Sequence, residues 1–466
     1  MFSGIPRSLL AHATWMGLLV GAAYSLSPLA IYFTVAAVVV VWWAGRGLPP
    51  TERRWVLALI VAAIAVRLLM VAGLFLATNH DHQQFSSFPF ERDGLYFVQR
   101  SLWIRNIWLG TPVDSHVYGS AIGGEYGWTS YLHLLAYVHY LIGPSPYGVR
   151  LINIWLFVAG AIVLHRLVRS SFGPIAAYAG LSAVLLLPSL VAWSVSTLKE
   201  SLQFALAVVT IASATFVFRG PTWGRRALAL ICCTFALMAL GTVRTGALFI
   251  AAAGLGAGIA LTVVRRRPVS ALATLVVITA IGVALVKPDR VPAIITERVA
   301  EAANVHLGNV RTEGHAYKLL DRRFYYGERL APMGGNEAAR FVMRAIAAFI
   351  ALPLPWDITS RAELAYLAEQ IVWWVLLAFA ILGVAAGRRR DDLLTFILAA
   401  YSVVGSVVIA LNSGNVGSMI RHRDTVLPFI VWLSALGAME VIHRIAHSSV
   451  LAARRDLSEA PGVACP

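Results

Sequence analysis

The sequence predicts an all-α polytopic membrane protein of about 12 transmembrane helices, with interfacial helices in large extracytoplasmic loops. Three observations predict it. Of 466 residues, 59% are hydrophobic and 13% charged, against roughly 45–50% and about 25% in soluble domains. The apolar residues arrive in blocks of about 17–24, the length a helix needs to cross a bilayer, whereas barrel strands are about 10 residues long and alternate in polarity. The net charge of +15 is gathered in clusters between the blocks: Arg53-Arg54, Arg166/Arg169, Arg225-Arg226, Arg265-Arg266-Arg267 and Arg388-Arg389-Arg390. Cytoplasmic loops carry such an excess of Arg and Lys, so the charge reports topology and points to no nucleic-acid partner.

In chain order the spans fall at 9–24, 29–45, 55–78, 148–166, 174–193, 200–218, 227–243, 247–264, 269–286, 368–386, 393–411 and 424–442. The first of these, preceded by Arg7, is read as a retained span and not a signal peptide, because a second apolar run from Leu29 follows after only Ser25-Leu26-Ser27-Pro28. Both termini then lie in the cytoplasm and every Arg cluster is inside. The short outer connections 25–28, 194–199 and 244–246 hold only Lys199 and Arg244.

Two apolar stretches are left out of the spans. Trp128–Ile142 is short and interleaved with Ser130, His133, His139 and three tyrosines, and counting it would throw Arg166/Arg169 and Arg225-Arg226 outside. It reads as a helix lying in the interface, where amphipathic rings are favoured. Phe341–Pro355 would likewise put Arg388-Arg389-Arg390 on the wrong side, and it reads as interfacial or re-entrant, ending at Pro353-Leu354-Pro355-Trp356.

The chain is thus one integral membrane domain, 1–466, with outer segments 79–147, 287–367 and 412–423 and a cytoplasmic tail, 443–466. In the first outer loop Leu95, Val98 and Leu102 share a helical face, so Gly94–Trp108 reads as an interfacial helix with Asp93 at its N-cap. The second holds a helix-like piece, Ala293–Leu307, and Gly334-Gly335, and reads as a mobile cover. Cys232 and Cys233 are adjacent in an apolar run and Cys465 is in the tail, which offers neither a disulfide framework nor a cysteine metal site.

Chemistry is sought in the first outer loop, with its carboxylates Asp81, Glu91, Asp93, Asp114 and Glu125. Asp93 either only caps its helix or is a general base taking a proton from an acceptor hydroxyl at the lipid–water boundary. Glu125 is a second base, an acceptor-positioning group, a metal ligand or a solvated loop residue. His80-Asp81-His82 has metal-ligand residue types in succession, or simply marks where a span leaves the membrane. No cofactor is demanded; a divalent metal is the one for which ligands are on offer.

The cations Lys199, Arg244, Arg421 and Arg423 stand at outer ends of spans. Each either snorkels to headgroups or joins the others in binding a phosphate leaving group. Glu200 caps its helix or pairs with Lys199. Arg67 lies mid-span, where a charge costs at least a few kcal/mol and must face protein or a cavity; it is a structural pair-former or part of a lipid-phosphate path.

These residues resemble the GT-C fold glycosyltransferases that use polyprenyl-phosphate sugars, similar to protein O-mannosyltransferases and aminoarabinose transferases. The resemblance is carried by Asp93 and Tyr96 before an amphipathic helix, and by Glu125 before an aromatic helix ending at Gly143. Val149-Arg150-Leu151-Ile152-Asn153 opens the next span, and Pro188-Ser189-Leu190 through Leu198-Lys199-Glu200-Ser201 and Arg244 follow. Leu352-Pro353-Leu354-Pro355-Trp356 and Arg421-His422-Arg423 through Pro428 resemble a bacterial surface-polysaccharide subgroup. The likeness covers about residues 55–440. One departure is clear: the family's first acid usually stands four residues before the Tyr, and here that position is Arg92, with Asp93 three before and Glu91 five before.

The resemblance implies inverting transfer of a sugar from a polyprenyl-phosphate donor to a glycan, lipid or protein acceptor of the cell envelope, at the extracytoplasmic face of the plasma (inner) membrane. Asp93 would be the base, with Glu91 or Asp81 as alternatives; Glu125 would position acceptor or metal; and Lys199, Arg244, Arg421 and Arg423 would hold the phosphate. Two other functions fit the sequence: a polymerase or ligase of pyrophosphate-linked oligosaccharides, and a lipid-linked sugar flippase or transporter.

Overall fold

The computed structural model describes residues 12–17, 28–78, 91–112, 114, 129–269, 290–312, 314–327, 330–358 and 364–459. Among these residues there is no β-strand; a single bridge joins Ala316 to Asn415, and nearly all the rest is helix. The named helices, in order, are α1 Pro28–Gly45, α2 Pro50–Ala77, α3 Glu91–Trp108, α4 Ser130–Ile142, α5 Pro146–Phe172, α6 Pro174–Leu186, α7 Pro188–Ser194 and α8 Glu200–Arg219. They continue with α9 Trp223–Val243, α10 Thr245–Arg266, α11 Val291–Val310, α12 Gly335–Ala351, α13 Leu364–Arg390, α14 Asp392–Asn412, α15 Val416–Arg423 and α16 Leu427–Glu459. The chain divides into two compact units: Met1–Leu164, Val184–Ser213 and Gly220–Leu248 form the first, and His165–Ala183, Ala214–Arg219 and Phe249–Pro466 the second.

Eight of the described helices, α2, α5, α8, α9, α10, α13, α14 and α16, are long and apolar enough to cross a membrane. The shortest, α8, has 20 residues and reaches about 30 Å, the thickness of a hydrocarbon core. The chain is therefore a polytopic α-helical membrane protein. The expected span 174–193 is the pair α6 and α7, bent by 62°. Pro188 is the cause, since it has no N–H for the preceding turn and its ring clashes there. The expected run 29–45 is α1, a helix of 18 residues. The expected spans 9–24 and 269–286 lie largely outside the described residues.

Two details of α3 differ from expectation. It begins at Glu91, so Asp93 is its third residue and not its cap. Carboxylates in a first turn are favoured by the partial positive charge of a helix N-terminus, and that lets the helix start early. Its buried face is Phe97, Val98, Ser101 and Ile104, whereas Leu95 and Leu102 are only partly buried, because the face is set by where α4 packs. Phe97 and Ile104 join Tyr131, Leu132, Leu135, Ala136, Val149, Trp193 and Leu198 in one cluster. The α4 helix has 13 residues and is about 20 Å long, too short to cross. Its cap, Thr129, accepts from the Tyr131 N–H.

In the second unit α13 and α16 pack through Gly383 and Gly437. A Cβ on either would overlap backbone of the other helix, at Leu433 and at Phe379 respectively, the close approach that small residues permit between membrane helices. At one end of this unit Arg219 donates to Ser171 Oγ at 3.0 Å and pairs with Asp391, Arg390 donates to the Phe172 carbonyl at 3.0 Å, and Arg266 Nε meets Asp392 Oδ2 at 2.9 Å. The helix ends that carry Arg169, Arg266 and Arg390 are thereby tied together. Short α15, within the segment read from sequence as loop 412–423, is capped by Asn415, whose Oδ1 accepts from the Gly417 N–H at 2.9 Å.

Candidate functional site

In the first unit the site is built on the turn 195–199, which joins broken span α6–α7 to α8. Irregular backbone that is buried must find partners inside the protein, and the carbonyls of Val195, Ser196, Thr197 and Leu198 each have one. Arg150 Nη1 donates to Val195 O at 3.0 Å. Asn153 Nδ2 donates to Ser196 O at 2.7 Å and to Leu198 O at 2.8 Å. The Tyr131 hydroxyl donates to Thr197 O at 3.0 Å and lies 3.1 Å from Asn153 Nδ2. Burial raises the Tyr131 pKa, the Asn153 contact opposes this and the Glu200 carboxylate adds to it, so the phenol stays neutral and remains a donor.

Two further elements close on the turn. The first turn of α3 rests on it at Gly94, where a Cβ would overlap the Thr197 hydroxyl. This fixes the backbone of Asp93, one residue earlier, beside the turn; the Asp93 and Glu91 side chains are outside the described set. On the other side, Lys199 Nζ donates to Val243 O at 3.2 Å and lies over the Phe97 ring, 5.7 Å from its centroid. Thr129 Oγ donates to the same Val243 carbonyl at 2.9 Å. Val243 ends α9, and half-buried Arg244 follows with its N–H on Leu240 O. Lys199 and Arg244 therefore stand at one helix end, with Glu200 buried in the next residue.

Deeper in this unit, Arg67 has Nε on Ser194 Oγ at 2.7 Å and Nη1 on the carbonyls of Leu185 at 2.9 Å and Ala63 at 3.1 Å. It is fully buried beside the Phe157 ring. Of the two readings of Arg67, this geometry is that of a structural tie: it satisfies a carbonyl beside the Pro188 break and clamps α2 to both halves of the bent span. In the first turns of α8, Ser201 and Gln203 are buried too, and Ser201 Oγ and Gln203 Oε1 have no hydrogen-bond partner among the described residues. The sequence reading gives Tyr131 and Gln203 no role and names Arg150, Asn153 and Ser201 only within the motifs that carry the resemblance. The visible signal for two of them is a polar pair three residues apart inside an otherwise apolar span.

Arg421 and Arg423 lie in the second unit, on α15. Arg423 is buried, donating to Gln370 Oε1 at 2.7 Å, to Leu352 O at 2.7 Å and to Phe349 O, with its Cζ 5.1 Å from the Phe349 ring centroid and 5.0 Å from that of Trp373. Burial draws its pKa down to about 10, against the pull of Tyr317, Glu369 and Asp424, so it is charged at neutral pH. Its guanidinium is engaged in ending α12 and is covered by protein. Arg421 is half-buried.

Asp81, Glu125 and His80-Asp81-His82 lie outside the described residues. Among the described residues no group of three His, Cys, Asp or Glu side chains is placed to hold a metal. Fold and site together define a polytopic α-helical membrane protein whose first unit gathers an acidic helix start and two cations about one supported turn. No family model, curated protein or solved structure matches the chain.

Proposed function

We propose that this protein is an inverting glycosyltransferase that moves a sugar from a polyprenyl-phosphate donor to a cell-envelope acceptor at the extracytoplasmic face of the plasma (inner) membrane. The observation that supports it is the meeting of the first turn of α3, bearing Glu91 and Asp93, with the turn that carries Lys199, beside Arg244. In this reading there are about 12 spans, both termini are cytoplasmic, and the turn faces outward. The acceptor oxygen attacks the anomeric carbon while the carbon–oxygen bond to phosphate breaks. The hydroxyl proton passes to Asp93, or to Glu91 or Asp81, and the electron pair leaves on polyprenyl phosphate. Lys199 and Arg244 neutralise that leaving group, and Glu125 orients the acceptor or a divalent metal. The proposal rests on the first unit alone; Arg423, engaged as it is, serves as a positioning residue of the second.

The bent span α6–α7 with Arg67 at its break favours a second reading, since broken helices line transporter sites. Reconstitution with a panel of polyprenyl-phosphate sugars separates the two. Glycosylated product from wild type, none from Asp93→Asn with donor binding intact, and weakened donor binding by Arg244→Ala support transfer. Full turnover by Asp93→Asn removes the base assignment, and solute movement without product replaces transfer by transport. Mass spectrometry of co-purified lipid, showing one phosphate or two, separates transfer from polymerase or ligase action on pyrophosphate-linked oligosaccharides.

A further inference from the structure

At the basic end of the second unit the last turns of α10 and α13 and the beginning of α14 enclose a cleft of about 460 Å³, lined by Leu261, Val264, Arg265, Arg388, Arg389 and Phe396. All three helices are long and apolar enough to cross a membrane, and the cleft lies at their basic ends. Its lining is graded. Arg265, Arg388 and Arg389 belong to the terminal turns of α10 and α13. Leu261 and Phe396 stand about one turn further in, on α10 and α14. All three arginines are exposed.

The neighbouring carboxylates are paired with other arginines, and Asp392 and Glu440 act on Arg265 and Arg389 only at longer range. Asp392 is taken by Arg266, Asp391 by Arg219 and Glu440 by Arg444. Among the described residues no carboxylate forms an ion pair with Arg265, Arg388 or Arg389. Three exposed cations without an ion-pair partner among the described residues thus stand around one concavity, which favours an anion. A free anion would gain only those charges. A phospholipid also covers Leu261, Val264 and Phe396, and the order of the lining, cations at the mouth and apolar wall beneath, is the order of its own parts. Basic pockets between membrane helices suit anionic headgroups for this reason.

We propose that this cleft binds an anionic glycerophospholipid of the surrounding membrane, its phosphate on Arg265, Arg388 and Arg389 and its acyl chains along Leu261, Val264 and Phe396. The inference is independent of the catalytic reading. Its test is native mass spectrometry of the full chain titrated with phosphatidylglycerol and, separately, phosphatidylcholine. Wild type should retain phosphatidylglycerol in preference, and each Arg→Gln change at 265, 388 or 389 should weaken retention by about fivefold. The all-Lys variant, which keeps the charge and guards against a folding artefact, should retain most of it, and Arg225→Gln/Arg226→Gln elsewhere should leave it unchanged. Equal retention of both lipids, a triple Gln variant that binds like wild type, or an equal loss in the 225/226 control would overturn the proposal. Displacement of the lipid by millimolar inorganic phosphate would replace it with a free-phosphate site.

Discussion

Gly94 meets Thr197 with no room for a side chain between them: a Cβ on Gly94 would run into the Thr197 hydroxyl, while the next atom, Thr197 Cβ, would be 3.6 Å away. Gly94→Ala is therefore expected to cost about 1–3 kcal/mol through overpacking, or to lift the start of α3, and Asp93 with it, off the turn. Thr197→Ala removes the obstructing oxygen and leaves an ordinary contact. The double variant should recover wild-type stability or exceed it slightly, because Ala is a better helix former than Gly. Thermal unfolding of the four proteins in detergent decides; a double variant no more stable than Gly94→Ala would show that the contact is not the cause.

Asn153 holds the same turn from beneath through the carbonyls of Ser196 and Leu198. Asn153→Leu removes both bonds in a buried setting, and each unsatisfied buried carbonyl costs about 1–3 kcal/mol. Tyr131→Phe removes one, to Thr197 O, and should cost less. As the two side chains are in contact, their effects should fall short of additive. Hydrogen exchange of the 195–199 amides is the direct measurement: faster exchange confined to the turn is expected, and unchanged protection in Asn153→Leu would refute its supporting role.

The spans were legible because a 20-residue apolar block has few alternatives in a bilayer, and runs such as 200–218 and 393–411 lie within observed helices. The bend at Pro188 was written in the residue itself but not its consequence, since a proline in a span either kinks it or is absorbed, depending on neighbours such as Arg67. The apolar stripe of α3 is legible only in part for the same kind of reason: of Leu95, Val98 and Leu102 only Val98 is buried, and Phe97 and Ile104 join the cluster with α4. Within the candidate site, Lys199 and Arg244 stood out as lone charges in short connections. Their convergence on Val243 depends on the α8 and α9 ends meeting, which no local pattern announces. Arg423 looked like Arg421 in sequence, and only packing separates a covered guanidinium from a half-buried one.

Arg423 ties α15 to the end of α12 and to Gln370. Arg423→Ala would strand the carbonyls of Phe349 and Leu352 and the Gln370 side chain, and each buried polar group left unsatisfied costs about 1–3 kcal/mol. Arg423→Lys keeps the charge but cannot reach several acceptors in one plane, so an intermediate loss is expected. Thermal stability in detergent should follow the order wild type, Lys, Ala. A variant that melts like wild type yet loses donor-lipid binding would return Arg423 to the phosphate role.

The fully buried His306 fastens the segment after α11 to the α14–α15 connection, and its proton positions can be read from its partners. Nδ1 faces the Ser413 carbonyl at 2.6 Å, which can only accept, so Nδ1 carries the hydrogen. Nε2 lies 3.3 Å from the Tyr325 hydroxyl, whose oxygen accepts the N–H groups of Leu319 and Leu320 at 3.0 Å each. That hydroxyl therefore donates its own hydrogen to Nε2, and the imidazole is neutral. Burial lowers the His306 pKa below its ordinary 6.5, and the Ser413 bond opposes the shift only in part. The unfolded chain then binds a proton more readily than the folded one, so this contribution to stability is complete above about pH 6.5 and is lost as pH falls toward the folded value. His139, also lowered by burial, changes in the same direction, so the comparison must be between wild type and His306→Gln. The stability gap between them should be widest at pH 7.5 and narrow steadily by pH 5, followed by urea unfolding in detergent. A gap that is constant across that range would mean His306 does not titrate differently in the folded and unfolded protein.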